Sequence, residues 1–252
     1  MLNYINKPIK FNGVLNRQPI FLSDSKARYI LDYRYLIEEF GYSIDFQFRS
    51  GARFLDLFFW LQKNLHHKVD QYGKIVLYVW LGTCDLTAKK SEFIKFGSRN
   101  KKVTYIDLRH ETDTSAVLYV KQQINKFRQF VSHFPSVKIV FLEIPYYSIE
   151  KYNKHLKVLN PESYHESDLI LTERICILND YIREVNEISG FNTPRFNRDL
   201  VKYRKGQNQA IRKSLDFSGY KDGIHPDKVL AGIWMKKIIM HMLHACKKVT
   251  CT

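Results

Sequence analysis

Ile75-Val76-Leu77-Tyr78-Val79-Trp80-Leu81-Gly82 is the stretch whose reading decides the fold. It is apolar throughout, rich in β-branched and aromatic side chains, and stops at a glycine. That is the pattern of a short strand covered on both faces. Pro19-Ile20-Phe21-Leu22 upstream has the same character, as does Val137 to Ile144 downstream, broken only by Lys138 and Glu143. The first runs into Ser23-Asp24-Ser25, polar residues suited to a helix start, and Pro145 stops the second. Ile44 to Phe48 alternates as a strand and ends at Arg49-Ser50-Gly51, and Val103 to Leu108 reads as a further strand. Between these runs the apolar period becomes helical. It covers Ala27 to about Phe40, Phe54 to about Val69, Thr114 to His133 and Leu169 to Ile188. A last helix from near Asp227 carries Leu230, Trp234, Ile238 and Met242 at steps of four. Strands that alternate with helices imply parallel pairing through βαβ crossovers. The expected fold is α/β, a three-layer α/β/α sandwich with a mostly parallel central sheet.

The 252 residues suffice for one sizeable core and are short for two full domains. The expected division is an N-terminal extension over 1–16, one domain over 17–246 and a tail over 247–252. With 11 Gly and 7 Pro, collagen-like and Pro/Gly-rich disordered classes are excluded. Lys and Arg number 40 against 25 Asp and Glu, a net charge of +15 that draws acidic partners. Cys84, Cys176, Cys246 and Cys251 form no CxxC pair, which argues against a disulfide framework or a zinc site and for a reducing compartment. The opening MLNYINKPIKFNGVLN lacks the apolar core of a secretory signal. No run of about 18 apolar residues suggests a membrane span. The expected location is the cytoplasm or nucleus.

In an open parallel sheet the chemistry gathers at the carboxyl ends of the strands. This singles out Ser23 to Ser25, Ser50-Gly51 and Gly82 to Asp85. Ser25 stands just past a strand end at the first turn of a helix, where free N–H groups favour an oxyanion. The same three residues also suit a plain helix cap. Near the other end lies Asp222-Gly223-Ile224-His225-Pro226-Asp227, directly before the last helix. A carboxylate three residues before a histidine can bend back onto Nδ1 and leave Nε2 free for a serine hydroxyl. The competing reading is an Asp-Gly turn followed by a cap at Asp227.

Taken in order, Asp24-Ser25, Gly51, Gly82-Thr83-Cys84-Asp85 and Asp222 with His225 resemble the four motif blocks of the SGNH, or GDSL, hydrolase superfamily. The resemblance spans about residues 17 to 245. It implies a serine esterase cleaving a small acyl or acetyl ester through an acyl-enzyme, with Ser25 as nucleophile, His225 as base and Asp222 as its orienting partner. The backbone N–H groups of Ser25 and Gly51 would form the oxyanion hole, with the side chain at position 84 as a third donor. No cofactor or metal is implied. Gly-x-Ser-x-Gly is absent, which separates the chain from the α/β-hydrolases.

Two residues depart from the family pattern. Ser23 stands where Gly is usual, and Cys84 where the family has Asn. A thiol is a weak donor, and losing one oxyanion donor typically costs about 2.7–4 kcal/mol of transition-state stabilisation. Thr83 is a candidate replacement, and Cys84 as an alternative nucleophile lacks an assigned base. A slow esterase is one expectation. The alternative is a catalytically weakened module on the same fold that binds nucleic acid or anionic membrane through basic loops.

Two stretches supply those loops. Lys89, Lys90, Lys101 and Lys102 lie in the first, and Arg198, Arg204 and Lys205 in the second, with Phe93, Phe96, Phe196 and Tyr203 interleaved. Such loops can track phosphates and stack bases, and both are expected to flank the cleft. The charge also makes the chain similar to the superfamily's esterase domains in animal transposable-element proteins. His241 and His244 have the i, i+3 spacing of a metal pair but no adjoining carboxylate.

Overall fold

The structure is a computed structural model that describes residues 2–96, 99–109, 113–205 and 211–248. The chain opens with α1 (Leu2–Asn6) and enters the sheet at β1 (Gln18–Ser23). A broken helical segment follows: α2 (Lys26–Ile30), a 3-10 turn over Leu31–Tyr33, and α3 (Tyr35–Glu38). Next come β2 (Asp45–Phe48), α4 (Phe54–Tyr72), β3 (Ile75–Trp80) and the single turn α5 (Thr83–Leu86). A hairpin of β4 (Thr87–Phe96) and β5 (Arg99–Leu108) leads to α6 (Asp113–Val131), β6 (Val137–Phe141) and α7 (Ile149–His155). The chain continues through α8 (His165–Ile188), a 3-10 turn over Asn197–Leu200, a second hairpin of β7 (Val201–Lys205) and β8 (Ile211–Leu215), and α9 (Lys228–Ala245).

The central sheet has the order β2-β1-β3-β6, and every pairing in it is parallel. Successive side chains on a strand point to opposite faces, and the burial follows that period. Ile20, Leu22, Leu77, Val79, Ile139 and Phe141 join one core with Leu61 of α4, Ile124 and Phe127 of α6 and Ile182 of α8. Phe21, Val76, Tyr78, Trp80 and Val140 join the other with Ile30 of α2 and Trp234, Ile238 and Met242 of α9. This is a three-layer α/β/α sandwich. Gly232 permits the close approach of α9, because a Cβ there would sit 2.8 Å from the Tyr33 ring.

Val103 to Leu108 is a strand, as its pattern predicts, but it pairs antiparallel with Thr87–Phe96 outside the central sheet. Two strands so close in sequence pair antiparallel, since a parallel partner needs a crossover of about a dozen residues. The two basic stretches expected as loops are largely strands of the two hairpins. The residues before β1 pack back onto the far end of the domain. The ammonium of Lys236 on α9, almost fully buried, donates to the carbonyls of Tyr4, Ile5 and Lys7, and Leu15 forms a bridge with Lys247. Among the described residues no helix is long and apolar enough to cross a membrane.

Candidate active site

The carboxyl ends of β1 and β3 lie side by side, with Ser23 paired to Trp80. The Ser23 hydroxyl donates to the Trp80 carbonyl at 3.1 Å, so the extra polar group in the glycine position is satisfied. Past Ser23 the chain turns. Asp24 is buried, and its carboxylate accepts the Lys26 N–H at 2.9 Å and the Lys26 ammonium. The same ammonium donates to Thr83 Oγ1 at 2.7 Å and lies 5.3 Å from the centre of the Trp80 ring. A buried charge needs such partners. Here they join the chain after β1 to the chain after β3.

Ser25 occupies the residue before α2, yet its side chain makes no capping bond. Its hydroxyl is instead 3.0 Å from Nε2 of His225. His225 Nδ1 is 2.7 Å from Oδ2 of Asp222. The other oxygen of Asp222 accepts the N–H groups of Ile224 at 3.0 Å and His225 at 2.8 Å. Burial alone would raise the Asp222 carboxyl. The bonds from His225 and the two backbone N–H groups outweigh it and hold the group below the usual carboxylate range. Gly223 makes the tight loop possible: its φ is +94°, and a Cβ there would meet Lys151 and the Tyr152 nitrogen within 3 Å. Asp227 caps α9 by accepting the Leu230 N–H at 2.8 Å, so the turn-and-cap reading and the histidine geometry hold together. Tyr29 stacks on the His225 ring at 4.9 Å and 28°.

Ser25 and His225 open into a cavity of about 480 Å³, lined also by Gly51, Thr83, Cys84, Tyr29 and Tyr152. Gly51 has φ +77°. Neither its N–H nor that of Ser25 donates to a described residue. The third stretch turns at Gly82, whose φ of +113° and closeness to Ile144 leave no room for a Cβ. Burial, with the Asp24 charge nearby, pushes the Cys84 thiol up to about 12, so it is protonated at neutral pH. Cys84 therefore offers a weak donor and no thiolate. Asp85 is fully buried and accepts the Phe54 N–H at 3.2 and 3.3 Å. Burial pushes its carboxyl up to about 7, against the Phe54 bond and the charges of Arg53 and Arg109.

The structure thus brings Ser25, His225, Asp222, Gly51 and Cys84 to one cavity or its immediate wall. The basic residues divide. Lys89 is exposed and lines the cavity, whereas Lys90 pairs with Asp107 at 2.8 Å and Lys102 is exposed elsewhere on β5. Arg198 lines a different depression with Arg195 and Tyr203, so among the described residues the second basic stretch does not border the Ser25 cavity as expected. Lys101 falls on β5 and Arg204 and Lys205 on β7; their side chains and Cys251 lie outside the described residues. His241 spends its two nitrogens on the Tyr78 hydroxyl and the Asn192 carbonyl, and His244 bonds Met240 O. Among the described residues no cluster of metal-binding side chains occurs. Lys26, Tyr29 and Arg109 escaped the sequence reading. Only Lys26 left a signal, as a charge between Ser25 and an apolar helix face.

No protein-family model matches the sequence, and no curated protein does. Solved structures do resemble this one. The acetyl xylan esterase AlAXEase superposes with a TM-score of 0.53 at 16% identity, over 88% of this chain and 97% of its own. A protein of Slackia heliotrinireducens assigned to the SGNH hydrolases gives 0.52 at 10% identity, over 90% and 98%. The fold is that of the SGNH hydrolases. A lipase/acylhydrolase from Enterococcus faecalis also superposes, with a TM-score of 0.51 at 13% identity over 93% of this chain and all of its own. Within the SGNH fold this chain departs from the usual pattern at Ser23, which the Trp80 carbonyl accommodates, and at Cys84, for whose weak donor no replacement side-chain amide stands in the described lining.

Proposed function

We propose that the protein is a serine ester hydrolase that cleaves a small acyl or acetyl ester through an acyl-enzyme. The observation that carries this reading is the continuous relay from Ser25 Oγ to His225 Nε2 at 3.0 Å and from His225 Nδ1 to Asp222 at 2.7 Å. His225 takes the Ser25 proton at Nε2 as Oγ bonds to the ester carbonyl carbon. The tetrahedral oxyanion is held by the free N–H groups of Ser25 and Gly51. As it collapses, the carbon–alkoxy bond breaks and the His225 proton leaves with the alcohol. Water then attacks the acyl-enzyme, again giving its proton to His225, and the acid departs as Ser25 is restored. Asp222 stabilises the imidazolium at both stages and fixes the tautomer of the neutral imidazole between them. With a thiol in place of the third donor, the expected rate is low for such a site, by a factor on the order of 10²–10³.

The nature of the esterases that share the fold supports this chemistry. The test is labelling with an alkyl fluorophosphonate, alongside hydrolysis of 4-nitrophenyl acetate. The wild-type protein is expected to be labelled and to turn over the ester, and Ser25→Ala to do neither. Equal labelling of the two proteins, or none of either, refutes the reading.

A further inference from the structure

Three cations face the cavity that holds Ser25 and His225. Arg28 comes from α2, Lys89 from β4, and Arg109 from just past β5. Arg109 is oriented by bonds from Nε to the Cys84 carbonyl at 3.2 Å and from Nη2 to the Thr87 carbonyl at 3.4 Å. Its remaining nitrogen has no partner among the described residues. Arg28 and Lys89 pair with no described carboxylate, and no Asp or Glu stands in the described lining. The nearby acids are committed elsewhere: Asp222 to His225, and Asp24 to Lys26. Asp85 is buried behind Cys84 and accepts from Phe54. Among the described residues the cavity therefore holds positive charges with no carboxylate in its lining to pair with them, and a cleft concentrates their field. Tyr29 and Tyr152 supply apolar surface beside them.

We propose that the ester taken by this cleft carries a fixed negative charge, a carboxylate or a phosphate, held by Arg28, Lys89 and Arg109. This names the substrate class of the proposed hydrolase and rests on that reading for the chemistry, though not for the binding. A guanidinium and an ammonium both donate charge-assisted bonds to such oxygens, and Arg can do so in pairs. One such contact corresponds to about a tenfold or larger preference over a neutral analogue.

The experiment compares three esters. 4-Nitrophenyl acetate is neutral, mono(4-nitrophenyl) succinate carries its charge on the acyl side, and 4-acetoxyphenyl phosphate carries it on the alcohol side. Binding is measured calorimetrically on the full-length Ser25→Ala protein, and kcat/KM on the wild type. At least one charged ester is expected to bind about tenfold more tightly than the neutral one, and which one identifies the side. The preference is expected to shrink at high salt and to fall in an Arg28→Gln/Lys89→Gln double variant, two exposed positions whose change leaves the core intact. Equal affinity for all three esters, or a preference untouched by salt and by the double variant, overturns the proposal. Charge-selective binding without turnover of any ester by the wild type leaves it standing and refutes the hydrolase reading instead.

Discussion

Asp222 and Asp85 stand near the same cleft, and their surroundings treat them in opposite ways. Asp222 is part-buried and receives three donors, two of them backbone N–H groups and the third the imidazole. It stays below the ordinary carboxylate range. Asp85 is fully buried and receives the single Phe54 N–H, and it rises to about 7. The lesson concerns donors as much as depth. An anion in the interior keeps its charge where enough N–H groups converge on it, and gives it up where they do not. The wall with the imidazole is built around a charge, whereas the wall with Cys84 sits over a carboxyl poised to be neutral.

The largest test of that contrast removes the charge from the first wall. Asp222→Asn is expected to lower kcat by about 10⁴ while the protein remains folded, since an amide favours the wrong imidazole tautomer. Ester hydrolysis read alongside circular dichroism checks it. A loss of less than tenfold would mean that the carboxylate only shapes the loop.

Next comes the second wall. Cys84→Asn restores an amide donor where the thiol now stands, and kcat is expected to rise by a factor on the order of 10². Steady-state hydrolysis of 4-nitrophenyl acetate measures it. An unchanged rate would show that the two backbone N–H groups already suffice.

The smallest effect is on stability. Asp85 titrates higher in the fold than in the unfolded chain, so the folded state resists its ionisation. Its penalty is absent below the unfolded value near 3.8, grows as pH rises, and is complete above the folded value of about 7. Asp85→Asn can still accept from Phe54 through its carbonyl oxygen and has no charge to bury. It is expected to melt a few degrees higher than wild type at pH 8, at about 2–4 °C for each kcal/mol relieved. The two proteins are expected to converge near pH 4. Thermal melts across that range decide it, and parallel curves would place the acid's titration outside the folded range.

Much of the architecture was legible because it depends on burial. Strands such as Ile75–Trp80 are apolar at every position, and few other placements in a chain of this length bury them. The Ser25, Asp222 and His225 constellation was legible through order and strand-end placement. The hairpin of Thr87–Phe96 was not, because Lys89, Lys90, Ser91, Glu92 and Lys95 give it a polar pattern that reads as a loop until its partner strand is seen. Val103 to Leu108 reads as a strand, but its antiparallel partner was hidden for the same reason. Tyr29 on His225, and Arg109 on the carbonyls of Cys84 and Thr87, are contacts between distant segments. No local spacing encodes them, so they emerge only from the packed structure.

The buried ammonium of Lys26 has a kinetic side. It fastens the turn after β1 to the turn after β3 through Asp24 and Thr83, and Ser25 sits in sequence between Asp24 and Lys26 itself. A hydroxyl carried on a loop would wander, and each encounter with a reactant would have to wait for it to return. Here the wandering is suppressed once, when the chain folds, so the freedom that a collision must remove is mostly the visitor's own.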